Sequence, residues 1–107
     1  MSNPTFLSWV EGDVRREREA QDLKWGEQNH PDGAEPEYFR IKARISREAC
    51  QMAAAEDRTN WRLILLEEVH EALAEEDPAK IRTELIQVAA VAMTWVEAID
   101  RRKRTDS

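Results

Sequence analysis

The chain is organised around two short acidic stretches, EEVHE at residues 67–71 and ELIQ at residues 84–87. On an α-helix of about 3.6 residues per turn, Glu67, Glu68 and Glu71 project from one side. Like charges at these spacings repel by about 0.2–0.5 kcal/mol per pair, so a compensating cation is expected. Carboxylate oxygens are natural ligands of a hard divalent cation. The pattern therefore indicates either a metal site or a solvated acidic helix surface.

Prolines and capping residues around these stretches divide the chain into helices. We expect helices at about residues 6–28, 36–56, 60–76 and 78–102. Pro36 and Pro78 stand at first helical positions, Asp77 is an N-cap, and Asp57, Thr59 and Asn60 are candidate caps for the third helix. The three glycines and four prolines are few, which favours helix over sheet. The sequence predicts a single all-α domain over residues 1–107.

The third and fourth helices are expected to form an antiparallel hairpin, because the turn at Asp77-Pro78 is short. Glu71 and Glu84 each lie about six residues from that turn, so at about 1.5 Å per residue they are at similar heights. The four glutamates can then converge between two helices. The apolar area is large for so thin a hairpin, which predicts an antiparallel homodimer. The second helix adds an apolar stripe of Phe39, Ile41, Ile45, Ala49 and Met52.

The charge balance and cysteine usage limit the function classes. There are 22 acidic and 16 basic residues, and the net charge of −6 disfavours general nucleic-acid binding. No apolar run approaches the ~18–20 residues of a membrane span, and no signal-peptide pattern is expected. The single Cys50 excludes an internal disulfide and predicts a reducing compartment, the cytoplasm.

The two acidic stretches carry a family resemblance. The motif Glu-Glu-x-x-Glu followed on a second helix by Glu-x-x-Asp is that of the MazG-like all-α nucleoside triphosphate pyrophosphohydrolases. This chain resembles them over most of its length, with twelve residues between Glu71 and Glu84. Residues 21–31, QDLKWGEQNHP, look like a segment of the first helix in many such proteins. The resemblance implies a four-helix MazG-like protomer that packs as a homodimer or a dimer of dimers, with sites at subunit boundaries.

The resemblance also implies a reaction and its ligands. Glu67, Glu68, Glu71 and Glu84 are expected to bind Mg²⁺, with Mn²⁺ as the alternative, and the metal grips the phosphates of a nucleoside triphosphate. Water attacks to release a nucleoside monophosphate and pyrophosphate, a reaction that cleans the nucleotide pool. One of Glu67, Glu68 and Glu71 is expected to orient the attacking water as general base. Phosphoryl transfer depends mainly on positioning and charge neutralisation, which such a site supplies.

Candidate substrate-binding residues lie in the first helix. Trp25 can stack on a nucleobase, with Gln21, Lys24 and Gln28 near the base or the phosphates. The alternative for Trp25 is a side chain that caps the core at a helix end. His70, beside the acidic face, is either a ligand or a solvated helix histidine.

One position departs from the motif, because Gln87 stands where the family has aspartate. Its amide oxygen can coordinate a cation without charge, so Gln87 is a further candidate metal ligand or a polar residue at a helix interface. The site loses one negative charge and is expected to bind metal more weakly. Two alternatives follow: a non-catalytic MazG-like helical dimer that binds nucleotide or other proteins, and an adaptor whose acidic face meets a basic partner.

Overall fold

The computed structural model describes the backbone from Pro4 to Asp106 and the side chains of residues 5–103. It contains four helices: α1 Pro4–Trp25, α2 Pro36–Ala55, α3 Trp61–Ala74 and α4 Pro78–Asp106. The described residues contain no strand. The prediction of an all-α chain with four helices is confirmed. No helix in the described range is long and apolar enough to cross a membrane.

The helix starts at Pro36 and Pro78 follow the signals in the sequence, whereas α3 ends at Ala74 and not at about residue 76, and α4 extends to Asp106 and not to about residue 102. Asn60 is the N-cap of α3, where its side chain accepts a 3.0 Å hydrogen bond from the Leu63 N–H. The Asp77 carboxylate accepts one of 3.3 Å from the Ala79 N–H at the start of α4. However, α1 ends at Trp25 and not at about residue 28. The reason is Gly26, which adopts φ 68° and ends the helix before the predicted loop begins.

Helices α2 and α3 pack against each other in antiparallel directions. Contacts from α2 side chains run in opposite order along α3 and the residues that follow it, as in Arg40–Glu76, Ser46–His70 and Cys50–Leu63. The connection between the helices begins with the left-handed residue Asp57, at φ 57°. The Asp57 and Arg58 N–H groups donate to the carbonyls of Ala54 and Ala53, which satisfies the end of α2 in a Schellman motif.

The face of α2 that packs inward is made of small residues. Ala43, Ser46 and Ala53 are buried on α2, and Ala72 is buried on α3. Small side chains let two helix backbones approach closely, so this face is buried in preference to the larger apolar one. The predicted stripe therefore lies largely outside the core of the chain. Ile41, Ile45 and Met52 are 42%, 55% and 61% exposed.

Contacts divide the chain into two compact units. The central unit is Ala34–Ala92, and the terminal unit combines the chain up to Gly33 with the chain from Met93 onward. In the terminal unit Phe6 and Val10 are buried, and Glu97 is only 2% exposed. The organisation of residues 1–107 as one domain stays a prediction.

Candidate metal centre

Three of the predicted glutamates come together in the central unit. Glu68 and Glu71 of α3 and Glu84 of α4 each offer a carboxylate oxygen, and these oxygens lie within 4.8 Å of one another. The spacing of three residues places Glu68 and Glu71 on one side of α3. We call Glu68, Glu71 and Glu84 the carboxylate triad. Its members are half-buried, and they present an all-oxygen donor set from two helices.

Two oxygens of the carboxylate triad have no donor within the described part of the chain. Glu68 Oε2 and Glu84 Oε2 are buried and have no hydrogen-bond partner among the described residues. An unpaired carboxylate oxygen shielded from water destabilises the folded chain, because it has lost its hydration without replacement. A divalent cation between the two helices would coordinate such oxygens and remove this cost. The residues present therefore fit a metal of the magnesium class.

The pKa shifts of two triad members also favour a bound cation. Burial, followed by the charges of Glu84 and Glu67, raises the pKa of Glu68. Burial also raises the pKa of Glu71, with further contributions from Glu68, Glu67 and Glu84 and a small opposing one from Arg47. Ionisation of Glu68 and of Glu71 is thus disfavoured, and these two carboxylates favour binding either a proton or a cation.

Glu67 is not part of the carboxylate triad. The Cys50 thiol of α2 is close enough for its titration to be affected by Glu67, and it donates a 3.2 Å hydrogen bond to the Leu63 carbonyl oxygen. Burial is the main reason that the pKa of Cys50 rises to about 11, and interaction with the Glu67 carboxylate adds to it. Cys50 is thus held as a neutral thiol beside the acidic face. The role of Glu67 as a metal ligand stays a prediction.

His70 contacts α2 and is half-buried. Its Nδ1 lies 2.5 Å from the hydroxyl oxygen of Ser46, which is buried. The histidine therefore helps to fix the register of α2 against α3 and is not a freely solvated side chain. No local pattern in the sequence predicts this pair, since the contact depends on which residues of the two helices face each other.

A polar cleft adjoins the carboxylate triad within the central unit. It has a volume of about 410 Å³. Its lining comes from three helices: Arg40, Ala43 and Arg47 of α2, Glu71, Ala74 and Glu75 of α3, and Glu84 of α4. Sequence reasoning missed the two arginines. Their only signal is a spacing of seven residues, two helical turns, which places them on one face of α2.

The predicted substrate residues of the first helix lie in the terminal unit. Gln21, Lys24, Trp25 and Gln28 line a common groove of about 320 Å³ with Glu17 and Ala20. Trp25 is 61% exposed, so it does not cap the core of this chain. The Lys24 ammonium group lies 4.9 Å from the Trp25 ring centroid, a cation–π distance.

Gln87 lies on α4 one turn after Glu84 and is exposed, unlike the half-buried members of the triad. Its amide can reach solvent, and its predicted roles as neutral ligand or interface residue stay predictions.

Comparison of the chain with protein-family models, with curated proteins and with solved structures finds no match in any of the three. Function therefore has to be inferred from the carboxylate triad, from the cleft beside it and from the resemblance in the two acidic stretches.

Proposed function

We propose that the chain is a Mg²⁺-dependent nucleoside triphosphate pyrophosphohydrolase of the MazG-like type. The observation that carries the proposal is the carboxylate triad, whose oxygens from two helices lie within 4.8 Å of one another. The buried, unpartnered oxygens of Glu68 and Glu84 support it. Mg²⁺ suits an all-oxygen donor set completed by substrate phosphates, and Mn²⁺ suits the same donors.

In the proposed reaction, water attacks the nucleoside triphosphate, the bond between the α-phosphorus and the bridging oxygen breaks, and nucleoside monophosphate and pyrophosphate leave. The metal supplies charge neutralisation for the phosphates. One of Glu67, Glu68 and Glu71 orients the water and takes its proton. Glu67 is the candidate that lies outside the triad.

The proposed assembly is a homodimer or a dimer of dimers built on an α3–α4 hairpin. The support is an apolar face of α2 that the described residues leave exposed. Tyr38, Ile41, Ile45 and Met52 recur at helical spacing and are all exposed. A second copy of the chain that covered this face would remove a contiguous apolar patch from water. The free Cys50 supports a cytoplasmic location.

The direct test is turnover by the purified full chain. We expect pyrophosphate release from at least one member of a panel of standard and modified nucleoside triphosphates in the presence of Mg²⁺ or Mn²⁺. Glu71→Gln and Glu84→Gln should each lower the rate at least ~100-fold, because one charged ligand of the metal is lost. Glu48→Gln is the matched control, since Glu48 is exposed on α2. Absence of turnover with either metal on every nucleotide would contradict the proposal.

The second candidate function is a non-catalytic helical dimer that binds nucleotide or a protein partner. The exposed Gln87, at the position of the family's aspartate, favours it. The substitution Gln87→Asp separates the two. A non-catalytic wild type that gains strong activity through Gln87→Asp is a decayed enzyme, whereas turnover by the wild type rejects the non-catalytic function. We expect wild-type turnover and an increase of about 10-fold or less, since one added charge strengthens metal binding without creating the site.

A further inference from the structure

Two arginines line the cleft beside the carboxylate triad, and metal binding by the triad does not involve them. Arg40 and Arg47 are two turns apart on α2 and line the cleft together with Glu71 and Glu84. At about 1.5 Å per residue their backbones are about 10 Å apart, longer than a single phosphate. Between them Ala43, which is buried, contributes no bulk. The cleft therefore offers guanidinium groups along a path that begins at the triad.

The two arginines differ in how firmly they are held. Arg40 makes a 3.0 Å ion pair with Glu37 and one of 2.5 Å with Glu76, so its guanidinium already has two carboxylate partners at the cleft edge. Arg47 has a single ion pair among the described residues, a long one of 3.9 Å between its Nη2 and Glu71 Oε1. That distance exceeds hydrogen-bonding range, and about half of the Arg47 side chain is exposed. Arg47 is the guanidinium free to bind an anion.

The charge of the cleft makes such binding depend on a cation. Two arginines face three glutamates there, Glu71, Glu75 and Glu84, so the lining is net negative when all are ionised. A free anion is repelled by this balance. With Glu68 of the triad included the net charge is −2, which a divalent cation offsets, and the cation also engages Glu71, the one ion-pair partner of Arg47 among the described residues. The carboxylates then bind metal while the guanidinium remains available.

We propose that Arg47, with Arg40 at the cleft edge, is the subsite for the linked phosphate groups of a ligand bound through metal at the carboxylate triad. The inference rests on the proposed function. It adds a residue, Arg47, that selects ligands with linked phosphates. It also adds an order of binding, in which the metal binds before the phosphates. Guanidinium groups bind phosphate oxygens in a bidentate fork, which lysine cannot do. A phosphate on the metal would lie within reach of Arg47, whose Nη2 is 3.9 Å from Glu71 Oε1, and a second linked phosphate can extend along the cleft towards Arg40.

The test is calorimetric titration of the full chain with inorganic pyrophosphate, with and without saturating Mg²⁺. We expect binding with Mg²⁺ and at least 10-fold weaker binding without it. Arg47→Gln should weaken the Mg²⁺-dependent binding at least 10-fold, and Arg47→Lys by less. Arg44→Gln is the matched control, because it removes the same charge from an exposed position of α2, and it should change the affinity less than twofold. Inorganic phosphate should bind at least 10-fold more weakly than pyrophosphate.

A melting experiment on the same proteins separates the possible failures. Mg²⁺ should raise the melting temperature of the wild type and of Arg47→Gln equally, since Arg47 is not a metal ligand. If the Mg²⁺ effect is present but Arg47→Gln binds pyrophosphate like the wild type, or Arg44→Gln loses as much affinity, the subsite is refuted and the metal site stands. Tight binding of pyrophosphate without Mg²⁺ refutes the order. Absence of any Mg²⁺ effect in the wild type refutes the proposed function, and the subsite with it.

Discussion

Glu71 is half-buried, lies beside other glutamates and is a proposed ligand of the metal. Its pKa is raised above the ordinary 4.5, first by burial and then by Glu68, Glu67 and Glu84. Between 4.5 and this raised value the folded chain holds more protons than the unfolded chain. Stability from this group is therefore complete below pH 4.5 and is lost as pH rises through the raised pKa. Without metal, ionised Glu71 destabilises the fold at neutral pH.

Removing that charge should therefore stabilise the metal-free protein. We expect Glu71→Gln to raise the free energy of unfolding at pH 8 by about 0.5 kcal/mol, since two like-charge helical neighbours are relieved. This amounts to a few degrees in melting temperature, about 2–4 °C, and should vanish near pH 4. Thermal melts from pH 4 to pH 8 with a chelator measure it, and Glu48→Gln should show no such trend. A Glu71→Gln protein that melts lower than the wild type at pH 8 would contradict the interpretation.

At this same scale the sequence predicted part of the site. The spacing of Glu68, Glu71 and Glu84 depends only on helical period and on a turn marked by Asp77-Pro78, so their convergence followed from local rules. The positions of Arg47, His70 and Cys50 were not predictable in this way. Their partners lie across the α2–α3 interface, and a shift of one residue in that register would replace every contact.

Helix α2 is terminated by a residue, Asp57, whose left-handed backbone conformation is unfavourable for a side chain with a Cβ atom. Asp57 occupies the left-handed position of the Schellman motif, at φ 57°, a conformation that glycine adopts without steric cost. We expect Asp57→Gly to stabilise the chain by about 0.5 kcal/mol, because relief of the left-handed strain exceeds the added flexibility of the unfolded state. Chemical denaturation measures the difference. Glu56→Gly is the control and should destabilise, since Glu56 has an ordinary negative φ of −101°. Equal effects of the two substitutions would rule out the strain.

Helix boundaries were more predictable than helix faces. Pro36, Pro78, Asn60 and Asp77 carry their signals within one turn of each end, and the observed helices begin where these residues indicate. The buried face of α2 was a different matter. Apolarity predicted the side of Ile45, but close helix approach selected the small residues around Ser46. Size complementarity between two helices is a property of the pair, and one helix's sequence does not contain it.

For the whole molecule, the uncovered face of α2 is the main structural problem of an isolated chain. Tyr38, Ile41, Ile45 and Met52 lie at helical spacing and are all more than 40% exposed. Leu85 and Ile86 of α4, in the same unit, are 51% and 58% exposed. Single exposed apolar residues are ordinary, but a contiguous set marks an interaction surface. The large apolar area of the predicted α3–α4 hairpin indicates a second subunit, and the exposed stripe of α2 is the surface where we propose that it binds.

A charge placed in the middle of that face should separate the subunits. Ile45→Glu puts a carboxylate where the proposed dimer would bury an isoleucine, and an unpaired buried charge costs several kcal/mol, roughly 3 or more. We expect the wild type to sediment as a dimer or tetramer at micromolar concentration and Ile45→Glu as a monomer with its helical circular dichroism retained. Helicity should survive because Ile45 is already 55% exposed in the single chain. Arg44→Gln changes the net charge by the same amount one residue away and should keep the wild-type assembly. An Ile45→Glu protein that assembles like the wild type would place the subunit contact on another surface. A monomeric wild type would contradict the dimer, and the exposed apolar stripe of α2 would then not be explained by a subunit contact.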